Sequence, residues 1–377
     1  MKIFAIAILS LIAVMILIIG GYVIYVIAQY YRIEDNYKLS VTGSVSEQVQ
    51  LDTSYTVLSY NVGFGAYSPE YSFFMDTGVM NDGREITGTY AKGLNKKDVQ
   101  KNVNGQTQVL KDNNADFCFL QEVDERADRS YNINMIKAMQ GALPSHCSTC
   151  AENFHTAYLQ YPFNDPIGTI NAGILTLSKY KIDGAVRRSF PVTTSLIDKL
   201  FDLDRCFAMH YLPISGSDKQ LVLINLHMSA YDEGGKIRAA QLKMLNGVLA
   251  EEYAKGNYVV AGGDFNHCLI ADKFESDEQA LQAFPSQQKT PDWVKNSVLH
   301  NSELASGFSI QADESTATCR GAEMPYKKGV NYSTVVDGFI VSDNVTVVRE
   351  NTIDTDYAFS DHNPVIMEFK LIQNSEL

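Results

Sequence analysis

The chain has 377 residues, of which 45% are hydrophobic and 20% are charged, as expected for a globular protein that buries a core. Lysine and arginine number 31 against 44 aspartates and glutamates, which gives a net charge of −13. This acidic balance argues against a protein that binds nucleic acid through overall electrostatic attraction, because phosphate contacts draw on basic side chains. A local basic groove stays compatible with it.

Residues 3–28 form an almost uninterrupted apolar run. As a helix rising about 1.5 Å per residue, the run is long enough to cross a hydrocarbon core about 30 Å thick. Tyrosines gather toward its C-terminal end, as in an interfacial aromatic belt. The run is longer than the apolar core of a cleaved signal peptide and lacks a small-x-small cleavage site. We therefore predict a transmembrane anchor over residues 1–28, a tether over 29–54 and a folded domain over 55–371, with a tail over 372–377.

Short apolar runs closed by turn residues predict the strands of this domain. In chain order they cover residues 55–60, 115–120, 167–178 (as a strand pair), 207–212, 220–226, 258–264, 335–341 and 365–371. Helical spacing predicts helices over 101–111, near 130–140 and over 237–249, and a long loop is expected over 68–97. The runs 207–212 and 220–226 are expected to form a hairpin. No internal repeat is present.

Only two of the six cysteines are closely spaced, Cys147 and Cys150. The sequence has no second Cys-x-x-Cys pair and no pair of histidines at zinc-finger spacing, so the cysteine pattern gives little support for a zinc site. We expect the pair to lie in a loop, either as an exposed disulfide or as two free thiols.

Polar residues that packing does not explain stand in or just after the predicted strands. They are Asn61, Glu122, His227, Asp264 with Asn266, Asp337, and Asp361 with His362. One such ending reads as a turn, because Gly, Asp and Asn are the usual turn residues. Six endings indicate a shared sheet edge, where α/β proteins place their sites. Asp264 and Asn266 are two apart, so on an extended backbone both side chains would point the same way.

The segments around these residues resemble, in order, the motifs of the endonuclease/exonuclease/phosphatase superfamily. They are Ser59-Tyr60-Asn61, Leu120-Gln121-Glu122, Asn225-x-His227, Gly263-Asp264-Phe265-Asn266, Val336-Asp337-Gly338-Phe339 and Ser360-Asp361-His362-Asn363-Pro364-Val365. The resemblance spans about residues 55–371. It implies an α/β (α+β) fold, a four-layered sandwich of two mixed β-sheets flanked by helices, here preceded by one N-terminal transmembrane helix. It also implies Mg²⁺-dependent hydrolysis of a phosphate ester, with Mn²⁺ as an alternative cation.

The same resemblance suggests roles for the candidate residues. His362, oriented by Asp337, would activate water or stabilise the transition state. Asp264 would contact the nucleophilic water, with Asn266 holding that water or a phosphoryl oxygen. His227 would donate to a phosphoryl oxygen. Glu122, Asn61 and Asp361 would hold the metal, in keeping with the oxygen ligands that Mg²⁺ prefers. Asn171, Arg238 and Arg320 are candidate substrate contacts, with structural roles as the alternative.

The expected function is that of a membrane-anchored, metal-dependent phosphodiesterase or phosphatase acting on a lipid head group or a small phosphodiester. A nuclease on the same fold is the alternative, and an inactive phosphoester-binding module is a third reading. The bilayer is the partner expected for residues 3–28, and no protein partner is inferred. Lys2 before the span nearly balances Arg32 and Lys38 after it. We expect the protein to lie in the cell membrane with its domain outside the cytoplasm. This orientation follows from the short N-terminal anchors of the family that the sequence resembles, because the flanking charges do not decide it.

Overall fold

The computed structural model describes residues 2–192, 203–230 and 235–372. The helices are α1 (Lys2–Gln29), α2 (Lys96–Asn113), α3 (Met135–Ala142), α4 (Lys236–Ala254), α5 (Asp277–Leu281) and α6 (Asp292–Lys295). The first strands are β1 (Tyr37–Lys38), β2 (Ser54–Asn61), β3 (Thr77–Val79), β4 (Glu85–Thr87), β5 (Phe117–Asp124), β6 (Cys147–Leu159), β7 (Gly168–Ser178) and β8 (Gly184–Ser189). The later strands are β9 (Cys206–Pro213), β10 (Gln220–His227), β11 (Tyr258–Asp264), β12 (Phe308–Gln311), β13 (Cys319–Arg320), β14 (Ser333–Thr334), β15 (Asp337–Ser342), β16 (Val345–Thr352) and β17 (Val365–Leu371).

Two large sheets form the body of the protein. One has seven strands in the order β1-β8-β9-β10-β11-β15-β12, and the other has six in the order β16-β17-β2-β5-β7-β6. Each is mixed, because β10 runs parallel to β11 and β2 runs parallel to β5 while their neighbours are antiparallel. The parallel pairs bring the C-terminal ends of four strands to one region. The predicted fold of two mixed sheets flanked by helices is confirmed.

Side chains that alternate between the two faces of a strand contribute to separate hydrophobic cores. In β10, Leu221 and Leu223 face the core between the two sheets, while Val222 and Ile224 face a second core that includes Leu245 of α4. A third core lies on the far side of the six-stranded sheet, under α2 and α3. Successive side chains of a strand point to opposite faces, so strands buried on both faces are apolar throughout.

Helix α2 supports the loops that follow two strands. It starts five residues before the predicted boundary, because the Asn95 side chain caps it by accepting hydrogen bonds from the backbone of Lys97 and Asp98. From its buried face, Gln106 Nε2 donates to the carbonyl oxygens of Val62 and Phe359, both at 2.8 Å. These bonds tie the segment after β2 to the segment before β17.

Two local predictions were wrong. The predicted strand pair over 167–178 is the single strand β7, and the loop predicted around Cys147 and Cys150 is the start of the 13-residue strand β6. Both cysteines are free thiols. An odd spacing in a strand directs their side chains to opposite faces, which separates the two sulfurs. The hairpin of β9 and β10 is confirmed.

Helix α1 is exposed along almost its whole length and has a mean hydropathy of 3.1 over its most apolar window. By length and composition it is a candidate membrane span or signal sequence. Parts of the segment that follows pack on the domain, because β1 pairs with β8 and the side chains of Leu39 and Val49 enter the core between the sheets.

Candidate active site

Three neighbouring strands place three candidate residues in one row. The parallel register of β10 and β11 sets His227 beside Asp264, and the antiparallel register of β11 and β15 sets Asp264 opposite Asp337. All three side chains are buried. Each residue stands at the end or the start of its strand, so the row lies along the edge of the seven-stranded sheet.

The strand β11 ends in a conformation that only glycine tolerates. Gly263 has φ 147°, and a Cβ there would meet the Leu226 carbonyl oxygen at 2.0 Å. Beyond it, Asn266 adopts φ 51°, so the backbone does not have the extended conformation on which the expected orientation of the Asp264 and Asn266 side chains depends. Instead the Asn266 backbone N–H donates to Asp264 Oδ1 at 2.9 Å, and its side-chain Nδ2 donates to the Met228 carbonyl at 3.0 Å.

His362 completes the row from the segment before β17. Its Nδ1 lies 2.7 Å from Asp337 Oδ2, and its Nε2 lies 3.9 Å from Asp264 Oδ2. His227 Nε2 approaches the same Asp264 oxygen at 3.3 Å. Burial opposes a charged imidazole, but the Asp337 carboxylate outweighs it and raises the pKa of His362 well above its ordinary value. Although burial opposes ionisation, His227 and then His362 lower the pKa of Asp264.

The six-stranded sheet contributes from the opposite side. Asn61 ends β2, and Glu122 sits in β5 at an irregularity where the pairing with β7 shifts between Leu120 and Val123. Glu122 has φ 55°, the left-handed conformation of a residue displaced at a bulge. Asn61 Nδ2 donates to Glu122 Oε1 at 3.2 Å and to Asp264 Oδ2 at 3.0 Å. One amide therefore links the carboxylates of the two sheets.

Asp361 lies between His362 and the loop after β2. Ser360 Oγ donates to its Oδ1 at 3.3 Å and to the Asn61 carbonyl at 2.8 Å. A Cβ added to Gly63 would meet Asp361 Oδ1 at 2.8 Å, so the chain passes against this carboxylate. Burial raises the pKa of Asp361 to about 6, and the charge of Glu122 raises it further while that of His362 lowers it. Glu122 and Asp361 thus act on each other electrostatically.

The donor set fits a hard divalent cation. Glu122, Asp361, Asp264 and the Asn61 amide offer oxygen ligands, which Mg²⁺ and Mn²⁺ prefer. A second set, Asp264, Asp337 and His362, has ligand atoms that lie within 4.8 Å of one another. Within it Asp337 Oδ1 is buried and has no hydrogen-bond partner in the part of the chain that the structure describes. His362 contributes a positive charge to this second set, whereas among the described residues no imidazole lies within ion-pair distance of Glu122 or Asp361.

Sequence reasoning missed a polar layer beneath the site. Gln121 Nε2 donates to Asn225 Oδ1 at 2.8 Å across the two sheets, and Asn225 Nδ2 donates to the Leu175 carbonyl at 3.1 Å. All these groups are buried, so the bonds hold the sheets in one relative position under Glu122 and His227. The signal available was that Gln121 and Asn225 stand inside apolar runs.

Sequence reasoning also missed Arg205. The side chain is only 7% exposed, yet Nε and Nη1 have no hydrogen-bond partner among the residues that the structure describes. It stands just before β9, whose partner strand β10 ends in His227. After burial, the Arg205 charge is the main influence that lowers the pKa of His227, whose buried Nδ1 also has no partner within the described ranges. The sequence signal was a basic residue at the start of the predicted hairpin.

The three candidate substrate contacts lie in different places. Arg320 is next to Asp361, whose carbonyl accepts its backbone N–H, but its Nη2 donates to the Ser68 carbonyl at 3.2 Å. Asn171 Nδ2 faces Glu125 Oε2 at 3.4 Å, on β7. Arg238 donates from Nη1 to the Ala230 and Trp293 carbonyls and to Ser297. The observed contacts of Arg238 and Asn171 are therefore structural ones outside the carboxylate row.

Comparisons with known proteins show the family and the fold of the chain. The model of the Endonuclease/Exonuclease/phosphatase family matches residues 58–362. No curated protein matches the chain. An endonuclease/exonuclease/phosphatase from Beutenbergia cavernae has a TM-score of 0.52 at 14% identity, with 85% of this chain and 72% of that one covered. A family protein from Leptotrichia buccalis has 0.52 at 11% identity, with 84% and 99% covered.

A further solved structure, of D. rerio TDP2 complexed with single strand DNA product, has a TM-score of 0.50 at 14% identity, with 85% of this chain and all 100% of that one covered. At such identities the three structures share the fold. The sequence match covers most of the chain and contains every candidate residue from Glu122 to His362. The chain belongs to the Endonuclease/Exonuclease/phosphatase family.

Proposed function

We propose that the protein is a divalent-metal-dependent hydrolase of phosphate esters that α1 holds at the cell membrane, with its domain outside the cytoplasm. The observation that supports the proposal is that the His362–Asp337 pair and the Asn61–Glu122 pair both lie against Asp264. The His362–Asp337 pair faces Asp264, and Asp264 is joined through Asn61 to Glu122 of the opposite sheet. Such a site offers a metal position and a polarised imidazole side by side, as phosphoester hydrolysis requires.

Glu122, Asn61 and Asp361 are the proposed ligands of the cation. Within the described ranges no imidazole pairs with the Glu122 or Asp361 carboxylate, whereas His227 pairs with Asp264 and His362 with Asp337. Asn61 Oδ1 accepts a hydrogen bond from the Gly63 backbone N–H at 3.0 Å, and the second lone pair of this oxygen would be the one to face a cation. A bound Mg²⁺, or Mn²⁺, would supply neutralisation of phosphoryl charge. In this assignment the metal ligands are different residues from the proton-handling group Asp264, Asp337 and His362.

The proton-handling groups are Asp264 and His362. Asp264 stays ionised because its pKa is lowered, so it is suited to accept a hydrogen bond from the attacking water and orient it. Asp337 binds His362 Nδ1 and leaves Nε2 directed to the site. With a raised pKa, His362 carries a proton near neutral pH and is suited to donate to a phosphoryl oxygen or to the leaving group.

Asn266 and His227 are proposed to act on the same water and phosphate from the β11 side. One N–H of the Asn266 amide is bound to Met228, which leaves the other to face a phosphoryl oxygen. His227 Nε2 holds Asp264, and its neutral form is favoured by the lowered pKa. Arg205, whose charge lowers the pKa of His227, is proposed to contact the substrate phosphate. Arg320, Asn171 and Arg238 are the remaining candidates, with Arg320 best positioned.

A lipid head group or a small phosphodiester is the proposed substrate, because α1 would hold the site near a bilayer. A nuclease is the second candidate. It is favoured by the fold shared with D. rerio TDP2, which was solved with a single strand DNA product. The net charge of −13 favours the first candidate, since nucleic-acid binding releases counterions from basic contacts.

The test is hydrolysis of bis-p-nitrophenyl phosphate by the detergent-solubilised full chain with Mg²⁺, Mn²⁺ or chelator. We expect His362→Ala to lower the rate by about 10²-fold or more, the contribution typical of a proton-handling group. The matched control is His300→Ala, because His300 pairs with Asp272 and Asp277 at the surface. Full activity of His362→Ala would refute the proposal, as would binding of phosphorylated ligands without turnover. Faster cleavage of single-stranded DNA than of phospholipids would favour the nuclease.

A further inference from the structure

The end of helix α1 is joined to the outer edge of the six-stranded sheet. Strand β6 is the last strand of that sheet, and on its outer side the described residues supply only an isolated bridge, between Thr42 and Ser148. Tyr22 OH donates to the Tyr158 carbonyl at 3.1 Å and accepts from the Gln160 backbone N–H at 3.2 Å. Tyr25 OH accepts from the Tyr158 backbone N–H at 3.2 Å. Two tyrosine hydroxyls of α1 thus form hydrogen bonds with backbone groups at the outer edge of β6, where a further strand could otherwise pair.

The contact continues toward the C-terminal end of α1. The Tyr31 ring lies 4.4 Å from the His155 ring, and its hydroxyl donates to Glu152. Arg32 Nε forms an ion pair with Asp204 at 2.7 Å. Going from Tyr22 to Tyr31, the contacted residues in and after β6 therefore run backward along the chain, from Gln160 to Glu152. The strand runs antiparallel to the helix, and its C-terminal end points toward the apolar part of α1.

This direction fixes the depth of the loop after β6, residues 160–166. Tyr22 lies seven residues before the end of α1, which is about 10 Å along the axis at 1.5 Å per residue. Gln160 contacts Tyr22, so the residues after Gln160 lie beside the apolar part of the helix or at its boundary. In a bilayer crossed by α1, tyrosines at such a position occupy the interface.

The loop carries the side chains that an interface requires. Phe163 is 85% exposed and Tyr161 is 63% exposed, and their rings contact each other edge to face. Tyr161 packs on Phe74, whose neighbour Met75 is 66% exposed. An ion pair of Asp165 with Lys92 at 2.8 Å holds the loop to the domain. We call Tyr161, Phe163 and Met75 the aromatic tip. Tyr161 and Phe163 lie on this loop, and Met75 follows Phe74 on the segment that Tyr161 contacts. Exposed apolar groups gathered in this way mark an interaction surface.

We propose that the aromatic tip is a second membrane contact, inserted into the interfacial region of the leaflet that α1 enters. The partner is a phospholipid bilayer, because the tip is continuous with a helix long and apolar enough to span one. The two contacts together fix how the domain sits on the membrane, with the β6 edge down and β16, the opposite edge strand, away from it. The proposal does not depend on catalysis.

The test uses the full chain, with its mass verifying that α1 is retained, in phosphatidylcholine vesicles with or without brominated acyl chains. The single tryptophan, Trp293, is first replaced by phenylalanine, and Phe163→Trp then reports on the tip. Interfacial side chains bury about 5–10 Å into the headgroup and acyl boundary, so we expect bromine to lower the emission by about twofold. Val348→Trp is the matched control, because Val348 is 49% exposed on β16.

Stronger quenching of Phe163→Trp than of Val348→Trp supports the proposal, and Met75→Trp should follow Phe163→Trp. Equal quenching of Phe163→Trp and Val348→Trp would overturn it. Hydrolysis of bis-p-nitrophenyl phosphate by the same vesicles is measured in parallel. Because quenching needs no turnover, an inactive chain with a quenched tip would refute the proposed function and leave the membrane contact standing.

Discussion

Asp264 and Asp337 face each other in register across β11 and β15, and His362 lies between their carboxylates. Two like charges opposite each other on adjacent strands are destabilising unless a positive group separates them. The His362 imidazole is that group in this structure. The protonation state of His362 therefore depends on the charges of the whole row.

Asp337→Asn is expected to lower the rate of phosphodiester hydrolysis by about 10²-fold or more while the protein stays folded. The carboxylate raises the pKa of His362, so its removal should move the pH limb that reports His362 to lower pH. The measurement is the pH profile of kcat/KM for parent and variant. Asp272→Asn, which removes the carboxylate from the surface pair with His300, is the control. An unshifted profile for Asp337→Asn would contradict the role of the pair.

Arg205→Met should raise KM about tenfold if the guanidinium contacts the substrate phosphate, since charged hydrogen bonds contribute about 1.5–3 kcal/mol. The Tm should stay level or rise, because Nε and Nη1 of this buried charge have no hydrogen-bond partner among the described residues, which is costly to the folded state. Arg187→Met is the contrasting variant. Arg187 is fully buried but bonded to Glu152 and Asp204, so its loss should lower the Tm. A lower Tm with an unchanged KM for Arg205→Met would show a structural role instead.

Glu350 predicts a pH dependence of stability that is separate from the site. Burial, with Asp313 adding, raises its pKa from 4.5 to about 8, and its Oε1 has no partner within the described ranges. The folded state binds this proton more tightly than the unfolded state, so its contribution is full below pH 4.5 and is lost as the pH rises to about 8.

Glu350→Gln should therefore raise the Tm at pH 8 and change it little at pH 4. At about 1.4 kcal/mol per pKa unit the gain has an upper limit of a few kcal/mol. Glu368→Gln is the control of opposite sign, because Ser54 and Arg349 lower the pKa of that exposed carboxylate. Thermal unfolding of the three proteins at both pH values measures the difference. Equal Tm gains for Glu350→Gln at pH 4 and pH 8 would count against the raised pKa.

Much of the site could be predicted because its residues interrupt apolar strands. Asp264 and His227 end such runs, and buried carboxylates or imidazoles there need partners. The orientation of Asn266 could not be predicted, since its left-handed φ depends on hydrogen bonds to Asp264 and Met228 that only the folded chain supplies. Glu122 likewise owes its direction to an irregular pairing of β5 with β7.

Other errors have a common physical origin. Cys147 and Cys150 stand in a polar stretch without strand periodicity, yet pairing with β7 makes it a strand. The only sequence signal for Arg205 is a basic residue at the start of the predicted hairpin, and it does not indicate where the side chain points. In each instance contacts remote in sequence decide the structure, so propensity and spacing carry little information.

The central claim is that Glu122 helps to hold a divalent cation beside the His362–Asp337 pair. The most direct measurement is the Mg²⁺ dependence of bis-p-nitrophenyl phosphate hydrolysis by the parent and Glu122→Gln. The variant keeps a hydrogen-bonding side chain beside Asn61 but loses the charge that a hard cation needs. The account predicts that chelation abolishes the parent's activity, that Mg²⁺ restores it, and that Glu122→Gln stays at least about 10²-fold slower at the same Mg²⁺ concentration. A Glu122→Gln protein that matches the parent at every Mg²⁺ concentration would contradict it.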